Sequence, residues 1–386
     1  MTTSLLNFDN IEREREEKRE AVSKTAIPEL VTVSPEANPY KDSRFPNDIY
    51  DYLLPDGSRF GLFADPYATM KYVDVSLGAR NGRYWLEQRL EDHTFTEREI
   101  KLMLFLSEHR VATRNQISKV VFPETDKKSI VIDFLQKCRK RGIICAFSWV
   151  SPLEDEFKKP LIYGLTRPGA EAVSILFHKQ VEEDFQFHPI NFPAGRGPNM
   201  NTFYLDLIAN ELYSELVRID RVISWQRRPQ LRLPDGGQHH PAAVFEVIKD
   251  DADFRVFWVE TIRVGKDWIN RVMLRFKRTQ SAYERLSLYQ RPARVIIIVD
   301  GDSRIPLLAK LAEEYMPDVK CRFTSDERLL QGLSPDTFIS WSNEEQVMKV
   351  SKIPFLQEGY EGMTASEYHS KQQFNVEEED MDEYEE

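Results

Sequence analysis

Cysteine is almost missing from this chain. Cys138, Cys145 and Cys321 are the only three among 386 residues, an odd number without CxxC spacing, which excludes a disulfide framework and a cysteine zinc site. Their expected role is small apolar filling. Long apolar runs are missing too: none approaches the roughly 18 residues that cross a bilayer. Met1 to Asn10 lacks the basic start and apolar middle of a secretory signal. A cytoplasmic protein with no membrane partner is therefore expected. Basic charge is in deficit, with 52 Lys and Arg against 63 Asp and Glu and a formal net charge of -11. That balance excludes a uniformly cationic surface. What remains is a chain with a hydrophobic fraction of 41%, normal for packed domains and long enough for two or three of them.

The charge is unevenly spread. Glu377 to Glu386 holds eight acids and no base, whereas Thr94 to Gly142 holds eleven Lys and Arg against six Asp and Glu. A polyanion responds to such a local field more than to net charge.

Along the chain, Asp9 to Glu20 reads as a short solvated helix, and Ile27 to Tyr40, with Pro28, Pro35 and Pro39, as an extended linker. Residues 1–46 are thus expected to be a disordered or partly helical arm. Residues 47–93 read as a small linker or hairpin segment, with Pro-Asp-Gly at a turn within LLPDGSRFGLF.

From Thr94 the pattern sharpens. Thr94 or Thr96 caps a first helix whose apolar face is Ile100, Leu102, Met103, Leu104 and Leu106. His109-Arg110-Val111 turns the chain, and Thr113 caps a second helix carrying Ile117, Val120 and Val121. A third begins near Asp126 or Ser129, is expected to bury Ile130, Val131, Phe134, Leu135 and Cys138, and stops at Gly142. Ile143 to Val150 and Pro160 to Leu165 then read as two strands, and Leu165 to Phe177 as a closing helix. Three helices and a hairpin predict a winged helix-turn-helix over residues 94–186, whose third helix enters the major groove of duplex DNA. Lys127, Lys128, Ser129 and Gln136 are the candidates for base edges. Lys137, Lys140 and Arg141 are candidates for phosphate, with Lys158 and Lys159 at the wing tip and Arg114 and Asn115 against the other strand.

After the Pro- and Gly-rich Phe187 to Pro198 the grammar changes. A helix over Asn201 to Val217, strands at Val222 to Leu233, Ala242 to Val247 and Phe254 to Val264, a basic helix from Asp267 to Tyr289 and the apolar strand Arg294 to Asp300 predict an α/β sheet over residues 199–350. Another helix at Ser303 to Tyr315 and a strand at Val319 to Thr324 follow. The basic helix carries Arg271, Arg275, Lys277, Arg278 and Arg285, which would extend a phosphate footprint. This order is that of a restriction-endonuclease-like domain, whose two carboxylates and a lysine work with Mg²⁺. Here His240-Pro241 stands where Pro-Asp is wanted, and Glu260-Thr261-Ile262-Arg263 supplies an acid with arginine in place of lysine. Asp235, Glu246 and Glu260 are the weak catalytic candidates, and His239-His240 has no third partner for a metal. The expected fold class is an α+β multidomain chain, a winged helix-turn-helix followed by a degenerate nuclease-like α/β domain. Residues 351–386 are expected to be a disordered acidic tail.

With SIVIDFLQKCRKRGIICAF, YGLTRPGAEAV, LPDGGQHHPAAVFEV, FWVETIRV and RVIIIVD in this order over roughly Thr94 to Asp300, the chain resembles the replication-relaxation family of plasmids and mobile elements of Gram-positive bacteria. The resemblance implies a role in replication control or mobilisation. Double-stranded DNA is the expected partner, with a second copy of the chain and replication or transfer proteins as further candidates. No cofactor is expected. A metal-dependent DNA nuclease, with Mg²⁺ held by Asp235 or Glu246 together with Glu260, and a protein-interaction adaptor are the alternatives.

Overall fold

The computed structural model describes residues 38–41, 45–53, 57–73, 75, 82–125, 127–153, 158–193, 195–250, 253–342, 345, 347–360, 363–364 and 367–368. The expected helix at Asp9 to Glu20, the Pro-Asp of the expected hairpin turn and most of the tail expected over 351–386 lie outside them, but 351–360 are no disordered tail, since Ile353, Leu356 and Tyr360 are buried.

A mixed α/β architecture is built around one buried helix. The chain first lays down strand β1 (Thr69–Tyr72) and helix α1 (Gly82–Asp92). Helix α2 (Glu97–His109) starts at Thr96, whose hydroxyl accepts the Glu99 N–H while the Glu99 carboxylate accepts the Thr96 N–H. Thr113 and Gln116 repeat the device at helix α3 (Arg114–Val121), just after strand β2 (Val111–Thr113). Helix α4 (Lys128–Lys140) ends before Gly142, which takes φ +75°, a conformation that favours glycine. Strands β3 (Ile144–Val150) and β4 (Ile162–Leu165) follow, then helix α5 (Arg167–Phe177).

The small sheet runs β1-β3-β4-β2, all antiparallel. Strand alternation divides its two faces. Ile144, Ala146, Tyr163 and Leu165 pack on α2, α3, α4 and α5. Cys145, Phe147, Trp149 and Ile162 face the other way, onto helix α6 (Asn201–Arg218). Residues 69–92 are therefore part of this unit, because β1 pairs with β3 over Thr69↔Val150 to Tyr72↔Phe147. The linker expected to end at Tyr40 is also packed there: Tyr40 is buried and stacks on Phe60.

The larger sheet is assembled from β5 (Val222–Arg227), β8 (Ala243–Asp250), β9 (Asp253–Thr261), β10 (Arg294–Val299), β11 (Cys321–Ser325), β12 (Ile339–Ser342) and β13 (Val347–Val350) in the order β13-β12-β11-β10-β9-β8-β5. A separate ribbon pairs β6 (Leu231–Arg232) with β7 (Gln238–His239). Strands β5, β8 and β9 form an antiparallel meander. Helix α7 (Trp268–Arg285) then crosses over so that β10 lies parallel to β9. Val295 to Val299 are fully buried because both faces are covered. Phe245, Val247, Phe257, Val259, Ile296 and Ile298 meet α6, while Trp258, Val295, Ile297 and Val299 meet α7 and helix α8 (Ile305–Tyr315). Helices α9 (Asp326–Leu330) and α10 (Pro354–Gln357) complete the α6 side.

Helix α6 thus has a sheet on each side. It still carries Asp206, Asn210, Glu211 and Glu215 into the interior, each at most 4% exposed. Every one is paired across to the smaller unit or the sheet. Asp206 accepts Arg110, Arg227 and Arg228. Asn210 donates to the His109 and Val111 carbonyls at 3.1 and 2.7 Å, and its Oδ1 lies 2.8 Å from His109 Nδ1. Glu211 accepts Gln116, and both Glu211 and Glu215 hold Lys119. Burial would raise the Glu215 carboxyl and lower the Lys119 ammonium, but Glu211 and Glu215 together outweigh it at Lys119, and Lys119 and Arg218 together outweigh it at Glu215, so these groups are ionised.

Asn210→Ala leaves buried acceptors on His109 and Val111 unpaired. The urea midpoint is expected to fall by the equivalent of about 3 kcal/mol with an unchanged denaturant slope.

Candidate nucleic-acid interface

Helix α4 shows which of its residues are available. Its buried ridge is Val131, Leu135 and Cys138 at i, i+4 and i+7, packed on α2 and β3. Lys128, Ser129, Ile132, Asp133, Gln136, Lys137 and Lys140 occupy the exposed side, with Lys127 exposed just before the helix. Ile130 departs from expectation. It is 39% exposed and Ile132 43%, because a strip centred on Val131 and Leu135 leaves both flanking positions at its margin. Phe134 is half-buried against Phe122, with ring centroids 5.1 Å apart.

A second group converges at the start of α3. Arg114 and Asn115 in the first turn of α3, and Lys158 and Lys159 from the loop before β4, line one groove of about 500 Å³ together with Leu62 and Glu211. The capping box at Thr113 holds the start of α3 in place, whereas the lysines lie just before β4, outside its paired residues. Glu211 does not neutralise the groove, since Lys119 and Gln116 already occupy its oxygens. Sequence spacing passed over Arg139. It is half-buried, and its charge acts on Tyr163 of β4 together with that of Arg114. The signal was its place on α4 one residue after Cys138, where a side chain turns towards β4.

Arg141 has a different role from the phosphate contact expected for it. Its guanidinium pairs with Glu99, which is 2% exposed, and lies over the Trp85 ring at 5.5 Å from the centroid. It ties the end of α4 to the start of α2 and to α1.

The carboxylates of the nuclease alternative are not brought together. Asp235 sits on the exposed turn between β6 and β7, where it accepts the Gly237 N–H at 3.1 Å and pairs with Arg285. Glu246 accepts the Ser224 hydroxyl at 2.9 Å. In the β8 to β9 register Glu246 stands opposite Val256, four residues from Glu260, or about 13 Å along the strand. One Mg²⁺, with ligands at about 2.1 Å, cannot bridge that distance. Glu260 is fully buried beneath α7 with Arg275 Nε at 2.6 Å from Oε2, off hydrogen-bonding directions. Burial pushes its carboxyl up against the pull of Arg275. Arg263, read as standing in for the lysine, points away and donates to Asp326 at 2.7 Å and to the Phe63 carbonyl at 2.9 Å. Among the described residues no group of three His, Cys, Asp or Glu side chains has the geometry of a metal site.

His239 and His240 do not form one polar loop. His240 is exposed, whereas His239 in β7 is buried on the Trp258 ring at 4.9 Å between centroids. Burial, with Arg275, His240 and Arg278 adding to it, pushes the His239 imidazole down to about 4. Of the basic residues on α7, Arg275 and Arg285 are thus committed to acids and Lys277 lies over the Tyr315 ring. Arg271 and Arg278 lie exposed, two turns apart on one side of the helix. Cys138 and Cys145 are buried as expected, and Cys321 half so.

Two outcomes follow. Arg141→Ala leaves the buried Glu99 carboxylate with Arg89, 3.9 Å away, as its cation and is expected to lower stability by about 2 kcal/mol, whereas Lys137→Ala leaves thermal unfolding within a degree or two. The second concerns pH. A histidine at about 4 in the folded chain and 6.5 when unfolded takes its proton only on unfolding between those values, so its stabilising share is complete above 6.5 and falls as pH drops towards 4. Relative to His239→Phe, the parent protein is expected to lose on the order of 3 kcal/mol between pH 7 and pH 4 in parallel urea titrations.

No helix among the described residues is long and apolar enough to cross a membrane. No protein-family model matches the chain, and comparison with curated proteins and with solved structures returns no significant match.

Proposed function

We propose that the protein is a sequence-specific duplex DNA-binding protein. In this reading residues 69–177 act as a winged helix, and the seven-stranded unit is a nuclease-like scaffold without nuclease chemistry. The observation that carries it is the exposed stripe Lys128, Ser129, Gln136, Lys137 and Lys140 on α4, and a groove edged by Arg114, Asn115, Lys158 and Lys159 in the same unit adds to it. A helix of 13 residues spans about 20 Å and fits a major groove about 12 Å wide. Its polar residues face outward because the apolar ones are used inward.

The division of labour follows from chemistry. Lysines at the far end of α4 neutralise phosphates and supply affinity without sequence preference. Gln136 reads adenine by donating and accepting at once, and exposed Ile132 suits a thymine methyl. Asp133 on the same face rejects phosphate and accepts from a cytosine amino group, so it places base edges rather than backbone opposite mid-helix. Arg114 and the two lysines grip the flanking backbone. The separation of Asp235, Glu246 and Glu260 favours binding over cleavage. Assignment to replication control of a plasmid or mobile element rests on the sequence resemblance.

In gel shifts on fragments selected from a random duplex pool, affinity is expected to fall steeply with salt. Lys137→Ala and Lys140→Ala should each lower the slope of log K against log salt by about 1, and Gln136→Ala should relax preference at one base pair by about tenfold. A symmetric consensus would mark a dimer. Salt-independent failure to retain any duplex would sink the reading and favour an adaptor.

A further inference from the structure

A second, smaller cavity lies away from α4. It has a volume of about 170 Å³, sits beyond the carboxyl end of β9 between the first turns of α6 and α7, and is walled by Asn201, Thr261, Gly265, Trp268, Arg271 and Arg275. Ligands of α/β sheets are commonly held outside the carboxyl ends of parallel strands, and β9 and β10 are such a pair. The volume suits a small oxyanion and falls short of the roughly 300 Å³ at which pockets begin to hold larger organic ligands.

The charges at this cavity are unbalanced. Arg275 is fixed from below, with Nε against Glu260 and Nη1 donating to the Thr261 carbonyl at 3.3 Å. Among the described residues Arg271 forms no ion pair. Its guanidinium folds back on Gly265, where an added Cβ would meet Nη2 at 2.6 Å, so a side chain at that position would push it off the cavity. Asp267, exposed just before α7, already accepts the Asn270 amide at 2.6 Å. Of the three arginines that line the cavity, Arg263 is paired with Asp326, so Arg271 and Arg275 share the one buried carboxylate of Glu260. The 18-residue helices α6 and α7 begin here without a side-chain cap from Met200 or Asp267, which adds to the positive field.

We propose that this cavity binds a phosphate group, with Arg271 and Arg275 as its ligands and Glu260 as the positioning residue that holds Arg275. Arginine suits this task because its planar fork donates two parallel hydrogen bonds to phosphate oxygens and stays charged throughout. The same phosphoryl chemistry has two sources, free inorganic phosphate and a phosphate monoester at the end of a DNA strand. The proposal does not rest on the duplex reading by α4.

The test uses the full chain and ³¹P NMR of inorganic phosphate at fixed ionic strength. The parent protein is expected to broaden the phosphate line. Arg271→Ala, an exposed position that leaves the fold intact, and Gly265→Val should each weaken the effect about tenfold, whereas Lys137→Ala should keep it. In a second arm, a short 5′-phosphorylated single strand is compared with its 5′-hydroxyl twin by fluorescence anisotropy. A tenfold preference for the phosphorylated strand, lost in Arg271→Ala, assigns the site to a strand end. Equal binding of the two strands alongside phosphate broadening assigns it to the free anion. No broadening and no preference, or effects that survive Arg271→Ala, would overturn the proposal. Because Lys137→Ala weakens duplex binding alone, failure of either reading is seen separately.

Discussion

The structure depends on a helix that is buried on two sides and still polar. Helix α6 packs Phe203, Leu207, Ile208 and Leu212 into the apolar contact that joins both sheets, and along the same length it buries three carboxylates and one amide. Apolar contact alone is non-directional and would let the smaller unit slide on the larger one. The polar residues remove that freedom. An unpaired buried carboxylate is costly, so only a docking that brings Arg110, Gln116 and Lys119 to Asp206, Glu211 and Glu215 is acceptable. Asn210 fixes the angle further by bonding backbone on both sides of the α2 to β2 turn.

This constraint decides what faces solvent. Because α6 covers one side of the four-stranded sheet, that unit cannot present that side of its sheet to a partner, and α4, the start of α3 and Lys158 before β4 are among the parts left in solvent. Lys119 and Gln116 are drawn inward to α6, whereas Arg114 and Asn115, one to five residues earlier on α3, stay outside. One helix of eight residues therefore divides its polar side chains between holding the units together and edging the groove.

Local grammar made much of this legible. The capping boxes at Thr96 and Thr113, the stop at Gly142 and the apolar run Val295 to Val299 are signals within a few residues of the chain, and the elements lie close to where those signals place them. Partnerships across long distances were not legible. Nothing near Thr69 announces that β1 will join a strand about 80 residues later, and β12 and β13 carry no strong alternation because β13 is an exposed edge. Among the candidate residues, exposure of the α4 stripe follows from its period, whereas the loss of Arg141 to Glu99 does not, since the two are 42 residues apart in sequence. Tandem histidines look alike on paper. Only the pairing of β6 with β7 turns His239 onto Trp258 and leaves His240 in solvent.

The end of β9 shows how one substitution in kind changes what a site can hold. A carboxylate that is to bind Mg²⁺ must reach the surface ionised and find a second oxygen ligand within a few ångströms. Glu260 instead lies beneath Arg275, which fills the space a cation would take and repels it. Glu246 is too far along the sheet to help, and Asp235 is turned to Arg285. An arginine cannot shed its proton to become neutral, so the positive charge over Glu260 persists at any ordinary pH. With Arg271 added across Gly265, the field beyond the strand ends is positive where a metal-dependent nuclease needs it negative. The geometry that disfavours a cation there is the same geometry that favours an anion, and the proposed phosphate site rests on that reversal of sign.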